Sequence, residues 1–117
     1  MLELISREKS QAPPPHIIWE TLVDPHRPGA RAWLTIERGE VAPQVVESEP
    51  PGHVVWSSIW PDRPLDRIRF VIQEGGSGSV LRWILETDGE PPDETRLGQM
   101  RYRINQLING QMRDSFG

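Results

Sequence analysis

The stretch DRIRFVIQEGGSGSVLRWILET, residues 66–87, decides the fold class of this chain. Apolar and polar residues alternate on both sides of a glycine-rich centre, which predicts two antiparallel strands joined by a turn within residues 75–79. One face of this hairpin carries large apolar side chains, namely Ile68, Phe70, Ile72, Leu81, Trp83 and Leu85. The other face carries arginines and a glutamate together with Val71, so the hairpin predicts an antiparallel sheet with one covered face and one wet face.

Two more strands are predicted before this hairpin. Residues 53–60, HVVWSSIW, alternate in the same way and share one face among Val54, Trp56, Ser58 and Trp60. Residues 41–49, VAPQVVESE, predict a strand at the sheet edge or with a bulge, because Pro43 has no N–H to donate to a neighbouring strand. Together with the hairpin they predict a four-stranded antiparallel meander.

Helical patterns lie on both sides of the meander. Residues 12–25 predict a helix with one apolar side, which ends before Pro25 because proline disfavours the α conformation in the preceding residue. Residues 94–113 predict a longer C-terminal helix with Asp93 as its N-cap. Its apolar residues recur at helical spacing, and they are Leu97, Met100, Ile104, Leu107, Ile108 and Met112.

The remaining segments are less regular. Residues 2–10 predict a short first strand, and residues 26–40 suggest a short helix at residues 30–34 followed by a turn at Gly39. The chain has 117 residues and no internal repeat or linker, so we expect one domain spanning residues 1–117.

Composition excludes several classes of protein. The absence of cysteine rules out disulfides and thiolate chemistry. The net charge is −4 and the basic residues are scattered among acids, which argues against nucleic acid as a partner. No apolar run approaches the roughly 20 residues of a membrane span, and the first ten residues lack the apolar core of a signal peptide. We therefore expect a cytoplasmic protein.

No cofactor or metal site is predicted. His16, His26 and His53 are far apart and form no ligand pattern. No serine lies in a nucleophile elbow, and the glycine-rich residues 75–79 join two strands and lack the lysine of a phosphate-binding loop.

Two motifs resemble a known superfamily. APPPHIIWETLVDP, residues 12–25, is similar to the a-P-x-x-V-W-x-x-L-T-D-P signature of the SRPBCC superfamily, which includes START-like, polyketide cyclase/dehydrase and lipid-transport proteins. VVESEPPGHVVWSS, residues 45–58, resembles the next signature of that superfamily, a strand, an E-x-x-P-P turn and a strand with Val-x-Trp. The resemblance covers essentially the whole chain.

The resemblance implies an α+β helix-grip fold. In this START-like fold a curved antiparallel sheet of five or six strands wraps around a long C-terminal helix, with a short helix region after strand 1. It also implies a hydrophobic cavity between sheet and helix, and binding of lipids, polyketides or other apolar molecules. Because this chain is short for the superfamily, we expect the cavity to be reduced or more open.

The candidate ligand pocket combines the aromatic face of the sheet with polar groups of the C-terminal helix. At 100° per residue, Arg101 and Gln111 fall within the apolar arc of that helix and Asn105 lies at its border. The aromatic residues either fill the core or line the pocket, and base stacking is a remote third role. The candidate pocket residues are Trp56, Ser58, Trp60, Phe70, Trp83, Arg101, Asn105, Ile108 and Gln111.

These observations favour a protein that binds a small hydrophobic ligand. One alternative is a polyketide cyclase or aromatase-like enzyme, although no catalytic residue is predicted because none of the polar groups near the pocket is a good base. The other alternative is a protein–protein interaction module with a filled cavity, which includes a homodimer formed through the edge strand 41–49.

Overall fold

A computed structural model describes residues 1–117 of the chain. Five strands form one curved antiparallel sheet in the order β1-β5-β4-β3-β2. The strands are β1 Leu2–Gln11, β2 Val45–Glu49, β3 His53–Ser57, β4 Asp66–Gly75 and β5 Gly78–Thr87. The helices are α1 Pro15–Val23 and α2 Glu94–Gln106, and a π-helical segment Leu107–Met112 continues α2. The α+β class, the five strands and the C-terminal helix confirm the sequence prediction.

The β4–β5 hairpin has the register that its alternation predicts. Phe70 pairs with Trp83 across the two strands, and both side chains are fully buried. The connecting turn needs Gly76, whose φ of +58° lies in the left-handed region that other residues avoid. On the opposite face Arg69 forms an ion pair with Glu86, beside apolar residues such as Ile84, so one face is apolar and the other is mixed.

Helix α1 begins at Pro15, where the missing N–H costs nothing because the first N–H groups of a helix have no partners. The helix ends before Asp24, as the following proline predicts. Its buried residues Ile18 and Leu22 join the core. The indole of Trp19 donates to the carbonyl of His53 at 3.1 Å and so ties α1 to the start of β3.

Two predicted strands are longer than the observed ones. Strand β3 ends at Ser57, because the hydroxyl of Ser58 accepts from the N–H of Trp60 at 3.0 Å and turns the chain. Ile59 then takes the inward position and is fully buried. Strand β2 begins only at Val45 and has no further strand beyond it, so its predicted position at the sheet edge is confirmed.

Residues 24–44 contain no helix or strand. The short helix expected at residues 30–34 is wrong, because this segment is fixed by burying Trp33 and Leu34 in the core and not by local hydrogen bonds. The turn at Gly39 is confirmed, and its φ is +85°.

The core is a single cluster between the inner face of the sheet, both helices and residues 33–34. Neither helix combines the length and apolar character that crossing a membrane requires. No group of three or more histidine or acidic side chains is arranged to hold a metal ion.

Candidate functional site

The interior between sheet and helix contains a layer of aromatic side chains. Trp56, Phe70 and Trp83 are each at most 1% exposed. Phe70 meets Trp56 edge-on at a ring-centre distance of 4.9 Å, and Trp33 stacks on the same indole at 6.1 Å. Aromatic contacts of this kind fill space well. None of the larger depressions of the molecule reaches Trp56, Phe70 or Trp83, whereas Trp33 lines a depression of about 240 Å³.

The polar atoms of two of these indoles are occupied. Nε1 of Trp56 donates to the carbonyl of Leu22 at 2.9 Å, and Nε1 of Trp83 donates to Oδ1 of Asn105 at 3.0 Å. Each bond fixes one ring against a helix. Both N–H groups are therefore committed to protein acceptors.

The other predicted pocket residues do not line one common cavity. Ser58 is buried, and its hydroxyl bonds only to the backbone of Trp60. Ile108 is part of the core. Gln111 lies at the other end of the helix, where its amide exchanges hydrogen bonds with the hydroxyl of Thr35 at 2.8 and 3.1 Å.

The buried face of α2 differs from the predicted one. Arg101 is exposed, and the buried residues of α2 are Met100, Arg103 and Ile104. The prediction assumed a rotation of 100° per residue along the whole helix. Residues Leu107–Met112 instead form a π-helix, which has more residues per turn. One helical wheel therefore cannot predict which side of both parts is buried.

Arg103 anchors the irregular segment to α2. Its Nε donates to Oε2 of Glu40 at 2.8 Å and its Nη2 donates to Oε1 of the same carboxylate at 2.9 Å. Nη2 also donates to the carbonyl of Thr35 at 2.6 Å. The Arg103 and Glu40 side chains are each only 7% exposed, so this bidentate pair is shielded from solvent.

The environment of Glu40 keeps it ionised. Burial alone would raise the pKa of Glu40, but hydrogen bonds from Arg103 and from the N–H of Glu37, with the charge of Arg103, outweigh burial and hold that pKa below its usual range. The same carboxylate raises the pKa of Arg103. The pair is therefore fully charged at neutral pH.

A groove lies beside this ion pair, and we call it the α2 groove. It is open to solvent, has a volume of about 740 Å³, and runs between α2 and residues 37–40. Trp60, Met100 and Tyr102 provide its apolar surface. The polar lining comes from Glu37, Arg38, Gly39, Glu40, Thr95, Arg96, Gly98, Gln99, Arg103 and Gln106.

The sequence interpretation missed Arg103 and Glu40. An arginine on an amphipathic helix is normally a surface residue whose aliphatic stem covers apolar neighbours. Its partner lies 63 residues earlier in a segment without a periodic pattern. The one local signal was the absence of any apolar residue among residues 37–40, which left that segment without another means of attachment.

Comparison with known proteins rests on structure alone. No family model matches the sequence, and no curated protein matches it significantly. The chain is similar to CalU16 of Micromonospora echinospora, with 18% identity, a TM-score of 0.63, and coverage of 90% of this chain and 69% of that one. It is also similar to protein BH1534 of Bacillus halodurans, with 17% identity, a TM-score of 0.64, and coverage of 98% and 99%.

A third similar structure is the Aha1 dimer of Colwellia psychrerythraea, with 15% identity, a TM-score of 0.62, and coverage of 95% of this chain and 99% of that one. At these identities the likeness concerns the fold. The strand order, the short helix after β1 and the gripped C-terminal helix agree with it. The chain therefore has the helix-grip fold that the resemblance of its motifs implies.

Proposed function

We propose that this protein binds a small, largely apolar ligand without transforming it, and that the ligand lies in the α2 groove. The observation that carries the proposal is a groove of about 740 Å³ beside a closed aromatic interior. Ligand pockets in proteins commonly have volumes of roughly 300–1,000 Å³. The fold supports a binding role by analogy with other proteins of this fold, because unrelated functions occur on the same fold.

The lining of the groove indicates the ligand's character. Tyr102, which is 72% exposed, supplies most of the accessible apolar surface and has room to cover a bound molecule, whereas Trp60 and Met100 are only 7% and 1% exposed. Arg38 and Gln99 at the groove offer hydrogen-bond donors, and Arg38 forms no ion pair within the protein. The chemistry suits an apolar body with one polar or acidic group.

The same groove is a poor site for acid–base catalysis. Glu40 is the most enclosed carboxylate in its lining, and the hydrogen bonds that lower its pKa also make it a weak base. Both of its oxygens are engaged by Arg103. This is why we favour binding over an enzymatic role.

One observation favours a protein partner as a second candidate function. The outer edge of β2 has no neighbouring strand, and Val45 and Val46 are exposed along it. Glu47 and Glu49 on the same strand oppose its pairing with a second copy of itself. Light scattering tests self-association, which the dimeric Aha1 structure makes worth measuring.

Thermal unfolding with candidate ligands tests the proposed binding function. A fatty acid, a sterol and a planar aromatic compound should be added in turn, with native mass spectrometry to count bound molecules. We expect at least one class to raise Tm in a concentration-dependent manner, because a ligand that binds only the folded state stabilises it.

A matched pair of variants locates the site. Gln99→Trp fills the exposed groove and should abolish the rise in Tm. Arg101→Trp places the same ring on the same helix, where it lines none of the larger depressions, and should preserve the rise. The proposal fails if no apolar class binds, or if both variants lose binding equally.

A further inference from the structure

A second depression lies between α2 and β1, next to the α2 groove, and we call it the β1–α2 cleft. It encloses about 290 Å³ and is lined by seven residues: Arg7, Lys9, Tyr102, Asn105, Gln106, Asn109 and Gly110. Arg7 and Lys9 pair with Trp83 and Leu81 of β5, so their side chains lie on the inner, helix-bearing side of the sheet. None of the lining residues is acidic.

The orientation of Asn105 in this cleft is fixed by its neighbour. The indole of Trp83 can only donate a hydrogen bond, so the atom of Asn105 facing it must be Oδ1. That oxygen also accepts from Nδ2 of Asn109 at 3.1 Å. The amide Nδ2 of Asn105 makes no hydrogen bond within the protein and is left to donate elsewhere.

Gln106 is oriented by the same argument. Arg103 can only donate, and its Nη1 contacts Oε1 of Gln106 at 3.1 Å. The NH₂ group of Gln106 is therefore uncommitted. Asn109 accepts from Gln11 at 2.9 Å, which uses its oxygen as well. Each of the three amide oxygens in the lining is thus engaged by a protein donor.

The cleft consequently presents an excess of donors. Arg7 and Lys9 contribute two positive charges, and neither forms an ion pair. Asn105 and Gln106 contribute free amide N–H groups, and Tyr102 contributes a hydroxyl. The rest of the molecule carries an excess of negative charge, since the chain's net charge is −4. Arg7 and Lys9 line one depression together, with no acidic residue in its lining.

We propose that the β1–α2 cleft binds a phosphate-class oxyanion, either free or as a phosphate monoester. Two cations match a dianion, and charge-assisted hydrogen bonds from guanidinium and amide N–H groups are the usual means of holding one. This site is separate from the α2 groove, although Tyr102 and Gln106 line both.

Calorimetric titration at constant ionic strength tests the site. The probes are inorganic phosphate and glycerol 3-phosphate, and we expect saturable binding of at least one. Vesicles containing phosphatidic acid, compared with pure phosphatidylcholine vesicles, identify the source of the phosphate. Binding to the acidic vesicles without binding of the free probes assigns a lipid headgroup.

Variants distinguish a built site from general attraction. Asn105→Asp keeps the acceptor for Trp83 but replaces the free donor with negative charge, and we expect at least a roughly tenfold loss of affinity. Arg7→Gln with Lys9→Gln should weaken binding to a similar degree. Arg101→Gln with Arg113→Gln removes the same charge from exposed positions outside the cleft and should change affinity less than about twofold.

Two results would overturn the proposal. One is the absence of saturable binding of both free probes and of acidic vesicles by the unmodified chain. The other is an equal loss of affinity in the cleft variants and in the Arg101/Arg113 control. Far-ultraviolet circular dichroism of each variant confirms that the fold is retained.

Discussion

The β4–β5 hairpin and the irregular residues 24–44 are both fixed in place, but by different means. The hairpin is held by a continuous ladder of backbone pairs and by alternating side chains. The irregular segment has no ladder and depends on a few contacts with distant residues, chiefly the burial of Trp33 and the pair between Arg103 and Glu40. Order in the hairpin is distributed over many residues, whereas order in the segment is concentrated in a few.

This difference has a direct consequence for mutation. Removing one side chain from a ladder leaves the other pairs in place. Removing one of the few anchors of an irregular segment removes a larger share of what holds it. Variants in the two regions should therefore differ in the size of their effects.

The largest effect is expected for Arg103→Ala. It leaves the buried Glu40 carboxylate without its charged partner, which typically costs about 3–5 kcal/mol of folding free energy. Urea denaturation followed by tryptophan fluorescence measures the loss. A further variant, Arg103→Met with Glu40→Met, should recover much of the stability, because it removes the unpaired charge as well.

The matched change in the hairpin is Arg82→Ala. Arg82 is 43% exposed and its contact with Glu3 is 3.4 Å long, so we expect a change of no more than about 0.5 kcal/mol. Equal losses in the Arg103 and Arg82 variants would contradict the proposed difference between the two regions.

The contribution of the Glu40 carboxylate to folding stability should depend on pH. The pKa of Glu40 is lowered in the folded protein, so its contribution to stability is present above the unfolded pKa of about 4.3 and is lost as the pH falls through the lower folded value. The stability difference between the unmodified chain and Glu40→Gln should therefore shrink as the pH is lowered from 7 toward about 3. Urea midpoints at several pH values measure it, and a constant difference would show that Glu40 is not stabilised as a carboxylate.

Effects between those of Arg103→Ala and Arg82→Ala should come from two glycines that have positive φ and free space at the Cβ position. They are Gly76 in the hairpin, with a φ of +58°, and Gly39 in the irregular segment, with a φ of +85°. Replacing either by alanine should cost about 1–2 kcal/mol, because the local strain is similar. Urea denaturation measures the free energy of unfolding of each variant, so that the two costs can be compared. A clearly smaller cost at Gly39 would mean that the irregular segment detaches before the sheet unfolds.

The sequence predicts those parts of the fold whose order repeats locally. Alternation identified both strands of the hairpin, and the Asp-Pro pair identified the end of α1. Alternation did not predict the end of β3, because a turn formed by the hydroxyl of Ser58 ends that strand within an otherwise alternating stretch. The spacing of apolar residues does not indicate a single side-chain hydrogen bond of this kind.

The candidate site was harder to predict. The wheel that selected Arg101 assumed one helix geometry throughout, and the π-helical segment from Leu107 breaks that assumption. Arg103 was not predictable, because its partner Glu40 is brought near only by the fold. Asn105 was identified as a border residue, but its bond to Trp83 requires knowing which strand lies beneath the helix.

The stacked indoles of Trp33 and Trp56 also give the protein an optical signature of its own. Their rings lie 6.1 Å apart at an interplanar angle of 20°, one on the irregular segment and one on β3. Transition dipoles this close couple, and the coupling produces a circular dichroism signal that neither ring has alone. That signal reports whether the irregular segment is docked on the sheet. It would disappear when the segment detaches, even while the strands remain paired.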